Sequence, residues 1–135
     1  MRNFLKYNQN ALLWAFLILV LCTMPVKGLP SFHLLNLISF DKFAHMVLFA
    51  VQFWFLVIGQ IKQQHFSYKR KYVAQISFGI TILYGAVIEL VQGYLLSGRT
   101  MDIMDMIANI IGATLGWALY LYFRQKNKAE KEIMQ

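Results

Sequence analysis

Four apolar stretches, each roughly twenty residues long, share a chain of only 135 residues, and they constrain the fold more than any other feature. A helix rises about 1.5 Å per residue and the hydrocarbon core of a bilayer is about 30 Å thick, so such a stretch has the length to cross it. The stretches run from about Leu5 to Met24, Phe43 to Ile61, Tyr72 to Leu96 and Asp102 to Phe123. In hydrocarbon every backbone N–H and C=O must find its partner within the protein, which makes helices the form these segments take. The expected fold is therefore all-α: an integral membrane four-helix bundle in one domain over residues 1–135, with residues 125–135 as a cytoplasmic tail. Composition agrees, because 59% hydrophobic against 14% charged residues lies outside the range of soluble domains. No length remains for a soluble catalytic module, so any function must sit among the helices.

Local signals refine this picture. Lys6 can snorkel at the inner end of the first helix, and Pro25 marks its stop. Arg2 and Lys6 ahead of Ala11 to Thr23 imitate a secretion signal, but Thr-Met-Pro-Val-Lys-Gly after Cys22 offers no small-x-small cleavage pattern. The first helix is expected to be retained, with Cys22 as a packing residue. Gly79, Gly85 and Gly93 in the third stretch, and Gly112 and Gly116 four apart in the fourth, are read as marks of packing faces. Trp117 to Phe123 suits an interfacial aromatic belt. The connection from Pro25 to Phe40 is apolar but too short to span, and is expected to lie on or dip into the outer interface as an amphipathic or re-entrant segment.

The net charge of +7 invites a nucleic-acid reading, but its placement argues for membrane topology instead. Arg2, Lys6, Lys62, Lys69, Arg70, Lys71, Arg124, Lys126, Lys128 and Lys131 fall on one side of the spans, and only Lys27, Lys42 and Arg99 on the other. The richer side is cytoplasmic, which gives N-in and C-in.

Of six acidic residues, Asp41, Glu89, Asp102 and Asp105 fall within or at the outer ends of helices two, three and four. An acid in the bilayer costs about 2.5–3.5 kcal/mol on insertion scales, so each needs a partner or a wet recess. Asp41, His45 and Gln52 share one stripe of helix two, and Glu89 and Gln92 share one of helix three. Arg99, Asp102, Asp105 and Asn109 follow one another at three- and four-residue steps on helix four. At about 1.5 Å per residue, Glu89 and Asn109 each lie about 10 Å in from the outer boundary. The three stripes are expected to converge on one outward-facing pocket, with Arg99 as a lid or counter-charge. Interhelical glue is the competing account, but a hydrogen bond between membrane helices averages only about 0.6 kcal/mol, which is little against several acids. Asp102 is also suited to be the N-cap of helix four. His33 and His65 lie in connections and receive no role.

No cofactor is expected. One intramembrane histidine without a paired His spacing argues against a dedicated zinc site, and a loosely held divalent ion bridging a phosphate fits the residues better. Glycine loops for phosphate, CxxC pairs and serine nucleophile motifs are absent from the sequence.

At these residues the chain resembles the VanZ-like family of bacterial membrane proteins, named for a teicoplanin-resistance protein. The resemblance covers about Phe40 to Tyr120 and rests on Asp41-Lys42 with His45 and Phe49, on Gly85 with Glu89 and Gln92, and on Arg99, Asp102, Asp105, Ala108, Asn109, Gly112 and Gly116 in order. Gln52 departs from it, standing where an apolar residue is expected. The resemblance implies a multi-pass protein of the bacterial cytoplasmic membrane with a role in the envelope, and for some members low-level glycopeptide resistance. Three functions stay open. The first is an envelope protein binding a lipid-linked or cell-wall-related ligand, Arg99 pairing its phosphate or carboxylate while Asp41, Glu89 and Asp105 take cationic or hydroxyl groups. The second is an intramembrane enzyme with His45 as acid or base, oriented by Asp41, and Glu89 or Asp105 as a second acid. The third is an ion-coupled carrier titrating at Glu89, which needs a homo-oligomer at this size.

Overall fold

The structure is a computed structural model that describes residues 2–24, 34–63, 72–95 and 101–133. Those residues form α1 (Arg2–Thr23), α2 (Leu34–Gln63), α3 (Val73–Leu95) and α4 (Ile103–Ile133). All four contain a stretch long and apolar enough to cross a membrane, and no strand occurs among the described residues. The helices alternate in direction, so the C-termini of α1 and α3 and the N-termini of α2 and α4 meet at one end of the bundle.

Helix limits follow local chemistry. α1 closes on a Thr23 hydroxyl that donates to the Leu19 carbonyl at 2.7 Å, satisfying an acceptor that the helix end leaves open. At the start of α4 the Asp102 carboxylate accepts from the Met104 N–H at 2.8 Å, the N-cap arrangement expected of it. α2 begins earlier than the sequence pattern suggests, because no proline or glycine separates Leu34 from the apolar run. Leu34 to Phe40 therefore continue the helix, whereas residues 25–33 of the expected interfacial segment lie outside the described residues. α4 likewise runs on through the charged tail to Ile133, where Ala, Glu and Lys all favour helix.

Surface and interior are inverted relative to a soluble protein. Phe16, Leu13, Leu83 and Leu115 are exposed, as lipid-facing side chains are, while Asn8, Gln52, Ser77, Thr81, Glu89 and Asn109 are buried. Lipid is as apolar as a leucine side chain, so close packing and hydrogen bonds rather than removal from water must hold the helices together. Packing is supplied by two clusters: Ile18, Cys22, Phe49 and Ile88 towards one end, and Phe53, Val57, Val73 and Ala74 towards the other. Hydrogen bonds tie α1 to its neighbours: Trp14 Nε1 donates to the Leu48 carbonyl and Gln92 Nε2 to the Cys22 carbonyl, both at 2.9 Å.

α2 and α4 make the closest approach, and two glycines allow it. A Cβ on Gly112 would collide with the Met46 backbone carbonyl, and one on Gly116 would come within 2.8 Å of the Ala50 carbonyl oxygen. The spacing of four thus does what small residues do between membrane helices. Gly79 differs from the reading of it as a packing glycine: it is exposed, and an added Cβ would meet nothing within 4 Å. Its place on the outward arc of α3, between Ile76 and Ile80, turns it away from the bundle.

Candidate functional site

Tight contact between α2 and α4 fixes which polar side chains meet. His45 sits one turn before Phe49 on α2 and lies parallel to its ring, with centroids 6.3 Å apart. Across the interface, His45 Nδ1 is 2.9 Å from Asn109 Oδ1, and both residues are buried. An amide oxygen only accepts, so this bond places the proton on Nδ1 and leaves Nε2 with its lone pair. Gly85 of α3 makes room for the pair: a Cβ there would stand 3.2 Å from Asn109 Nδ2 and 3.1 Å from Phe49 Cε1.

One turn nearer the helix ends, the carboxylates gather. Asp41, His45 and Asp105 present ligand-type atoms that all lie within 4.8 Å of one another. Lys42 reaches from α2 to α4, its Nζ standing 2.9 Å from Asp102 Oδ2 and 3.0 Å from Asp105 Oδ1. The ammonium beside Asp102 holds that carboxyl below its usual range, aided by the Met104 N–H. Glu89 enters from α3, 1% exposed, with Asp105 and His45 as its charged neighbours and the Asp102 N–H against its carboxylate. Its Oε1 has no hydrogen-bond partner among the described residues, and neither has Asn109 Nδ2 or Gln52 Oε1.

Asp41, His45, Glu89, Asp102, Asp105 and Asn109 of the sequence-expected set are thus gathered at one end of the bundle. Gln92 also faces inward, but its amide is engaged by the Cys22 carbonyl and serves the α1–α3 contact. Arg99 lies outside the described residues. Lys42 is the participant that sequence reasoning missed, having taken it only as a marker of topology. Its adjacency to Asp41 at the start of the span was the available signal. A shallow groove on α1, lined by Leu5, Lys6, Gln9, Leu12 and Leu13, lies at the other end and shares no residue with the cluster.

Chemically, the site sets four carboxylates against one ammonium and one imidazole. Such an arrangement attracts cations, accepts hydrogen bonds from hydroxyl and amino groups, and offers a lone pair on His45 Nε2.

Comparison with known proteins bears on this end of the molecule. Neither the curated proteins nor the solved structures provide a match. The VanZ/LLP1 family pattern, by contrast, matches residues 2–124, which include every residue of the cluster. With nearly its whole length matched and four helices able to span a bilayer, the chain belongs to the VanZ/LLP1 family.

Proposed function

We propose that this protein is a multi-pass component of the bacterial cytoplasmic membrane that binds a lipid-linked or cell-wall-related ligand at the carboxylate and histidine end of α2, α3 and α4, and that this binding underlies protection against teicoplanin-type glycopeptides. The observation that carries the reading is Glu89, buried to 1% exposure with Oε1 unpartnered among the described residues. A carboxylate left in that condition by the helices around it suits a donor brought by a ligand, since an unmet buried acceptor costs about 1–3 kcal/mol. Asp41 and Asp105 would receive further hydroxyl or amino groups of the head group, while Lys42 keeps the opening between α2 and α4 in place. The distribution of basic residues supports an outward position for this end, where lipid-linked wall precursors are exposed.

An enzymatic reading has one specific observation in its favour: Asn109 holds His45 Nδ1 and leaves Nε2 able to take a proton. Asn109 rather than Asp41 is then the residue that orients the ring.

The test pairs Glu89→Gln and His45→Ala with the parent chain in a teicoplanin-susceptible bacterium, with membrane abundance measured for each. Binding of a purified lipid-linked wall precursor to the chain in nanodiscs is followed in parallel. Ligand binding and protection should both fall at least tenfold in the variants, with the precursor recovered unchanged. Consumption of the precursor by the purified chain would move the conclusion to the enzyme. Full protection and full binding in both variants, at parental abundance, would end every reading that uses this site.

A further inference from the structure

The reading above leaves an electrostatic imbalance in the site. Asp41, Glu89, Asp102 and Asp105 converge where α2, α3 and α4 meet, and Lys42 is the one ammonium placed among them by the described residues. Charges of one sign held together near hydrocarbon are costly, and a cation is the natural complement.

We infer that Asp41, His45 and Asp105 form a binding site for a single divalent transition-metal ion of the Zn2+ or Mn2+ class, with Glu89 as a fourth donor. Three features support it beyond the grouping of acids. First, the donors are arranged for coordination. Asp41 and His45, four apart, project from one face of α2, Asp105 projects from α4 opposite, and their ligand atoms lie within 4.8 Å of one another. Metal–oxygen and metal–nitrogen bonds of about 2.0–2.2 Å place donors about 3–4 Å apart, a gap that rotation of the half-buried Asp41 side chain closes. Second, the imidazole is prepared: Asn109 Oδ1 at 2.9 Å from Nδ1 fixes the ring and leaves Nε2 as the ligand atom, the outer-shell support found for metal-bound histidines. Third, Glu89 brings an independent sign of a missing partner, since its Oε1 is buried beside Asp105 and His45 without a hydrogen bond among the described residues.

Lys42 does not close the site. It engages Oδ1 of Asp105, and a carboxylate has a second oxygen with lone pairs to spare. A mixed imidazole and carboxylate set favours zinc or manganese over calcium or magnesium, which take oxygen ligands alone. With three or four protein donors, an open coordination position remains for water or for a phosphate oxygen of an incoming lipid-linked ligand. The cation site therefore deepens the ligand-binding reading and rests on it for its biological purpose, but not for its chemistry.

The experiment uses the full chain, free of any histidine tag, in nanodiscs after chelator treatment and dialysis. Manganese chloride is titrated and followed by electron paramagnetic resonance, and zinc chloride by competition. The expected result is one Mn2+ per chain, displaced by Zn2+, with nitrogen hyperfine coupling from one imidazole. His45→Ala should abolish the nitrogen coupling, and Asp105→Asn should weaken binding at least tenfold. Asp41→Asn, at the half-buried edge of the site, provides a third variant should a buried change fail to fold, and it too should weaken binding at least tenfold. Absence of bound ion in the parent chain, or undiminished binding and coupling in a folded His45→Ala, overturns the inference. Titration of the same samples with the lipid-linked precursor keeps the two conclusions apart. Ion binding without precursor binding sinks the ligand reading alone, and precursor binding without ion binding sinks the cation site alone.

Discussion

His45 Nδ1 and Asn109 Oδ1 meet at 2.9 Å across the α2–α4 interface, joining residues 64 positions apart in the chain. Both are buried, so the bond does two things: it ties the two helices together and it decides which nitrogen of His45 is available to a ligand. Asn109→Ala should lower stability by roughly 1 kcal/mol, in line with polar contacts between membrane helices. The tautomer should change as well. Nitrogen NMR of labelled His45 should report a proton fixed on Nδ1 in the parent chain and a tautomeric mixture in the variant. An unchanged spectrum would show that Asn109 does not orient the ring.

Close approach of α2 and α4 yields a second prediction, with an internal control. Gly112→Ala places a methyl against the Met46 backbone carbonyl, which cannot move without displacing the helix. Overpacking of this kind costs about 1–3 kcal/mol, and here the neighbouring atom is backbone, so the upper half of that range is expected. Gly79→Ala meets nothing within 4 Å and should be neutral or stabilising by up to about 1 kcal/mol, through helix propensity alone. Thermal unfolding in one detergent should separate the two variants. Equal losses would contradict the packing described for α4.

Asp102 has two jobs that substitution can separate. Its Oδ1 caps α4 by accepting from the Met104 N–H at 2.8 Å, while its Oδ2 pairs with Lys42 at 2.9 Å. Asparagine retains the cap and loses the charge, so Asp102→Asn reports on the ion pair. Alanine loses both and should be worse by about 1 kcal/mol. The side chains of Lys42 and Asp102 are 27% and 43% exposed, which keeps the contribution of the pair small and sensitive to salt. Its pH dependence has a definite sign. The carboxyl is held below its ordinary value of 3.8, chiefly by the Lys42 hydrogen bond, so the pair contributes fully above that value and is lost as pH falls through the lower folded one. The melting difference between the parent and Asp102→Asn should be flat from pH 7 to about 5 and shrink below 4. A difference that widens on acidification would refute the assignment.

Much of this arrangement was legible in the chain because membrane helices leave few alternatives. Steps of three and four placed Asp41 with His45, and Asp105 with Asn109, on single faces, and the structure brings those faces together. Gly112 and Gly116 likewise announced a close contact. What periodicity cannot supply is the rotation of one helix relative to the next. Lys42 lies one position from Asp41 and so projects about a quarter-turn away, which in isolation reads as a snorkelling end residue. Only the azimuth of α2 against α4 turns it onto Asp102 and Asp105. For the same reason Gln92 was assigned to the polar cluster although its amide donates to α1, and Gly79 was taken for a contact although it faces outward. The early start of α2 at Leu34 was hidden differently: an apolar run too short to span looks interfacial until it is seen to be continuous with the span that follows.

Glu89 distinguishes a site from a structural fastening. Were it interhelical glue, removing its charge would leave its partners unmet, and breaking such a buried pair costs about 3–5 kcal/mol. The described geometry argues for the opposite outcome, because Oε1 has no partner to lose and Asp105 already bonds to Lys42. Replacing an unmet buried carboxylate by an apolar side chain of similar length removes a desolvation penalty, so Glu89→Met should leave the chain as stable as the parent or more stable. Function should move the other way, with protection against teicoplanin falling to the level of cells lacking the protein. Unfolding curves and susceptibility measured on the same variant decide the matter together. A stability loss of about 3 kcal/mol or more would identify Glu89 as a fastening, whereas gained stability with lost protection is the signature of a residue kept for what it binds.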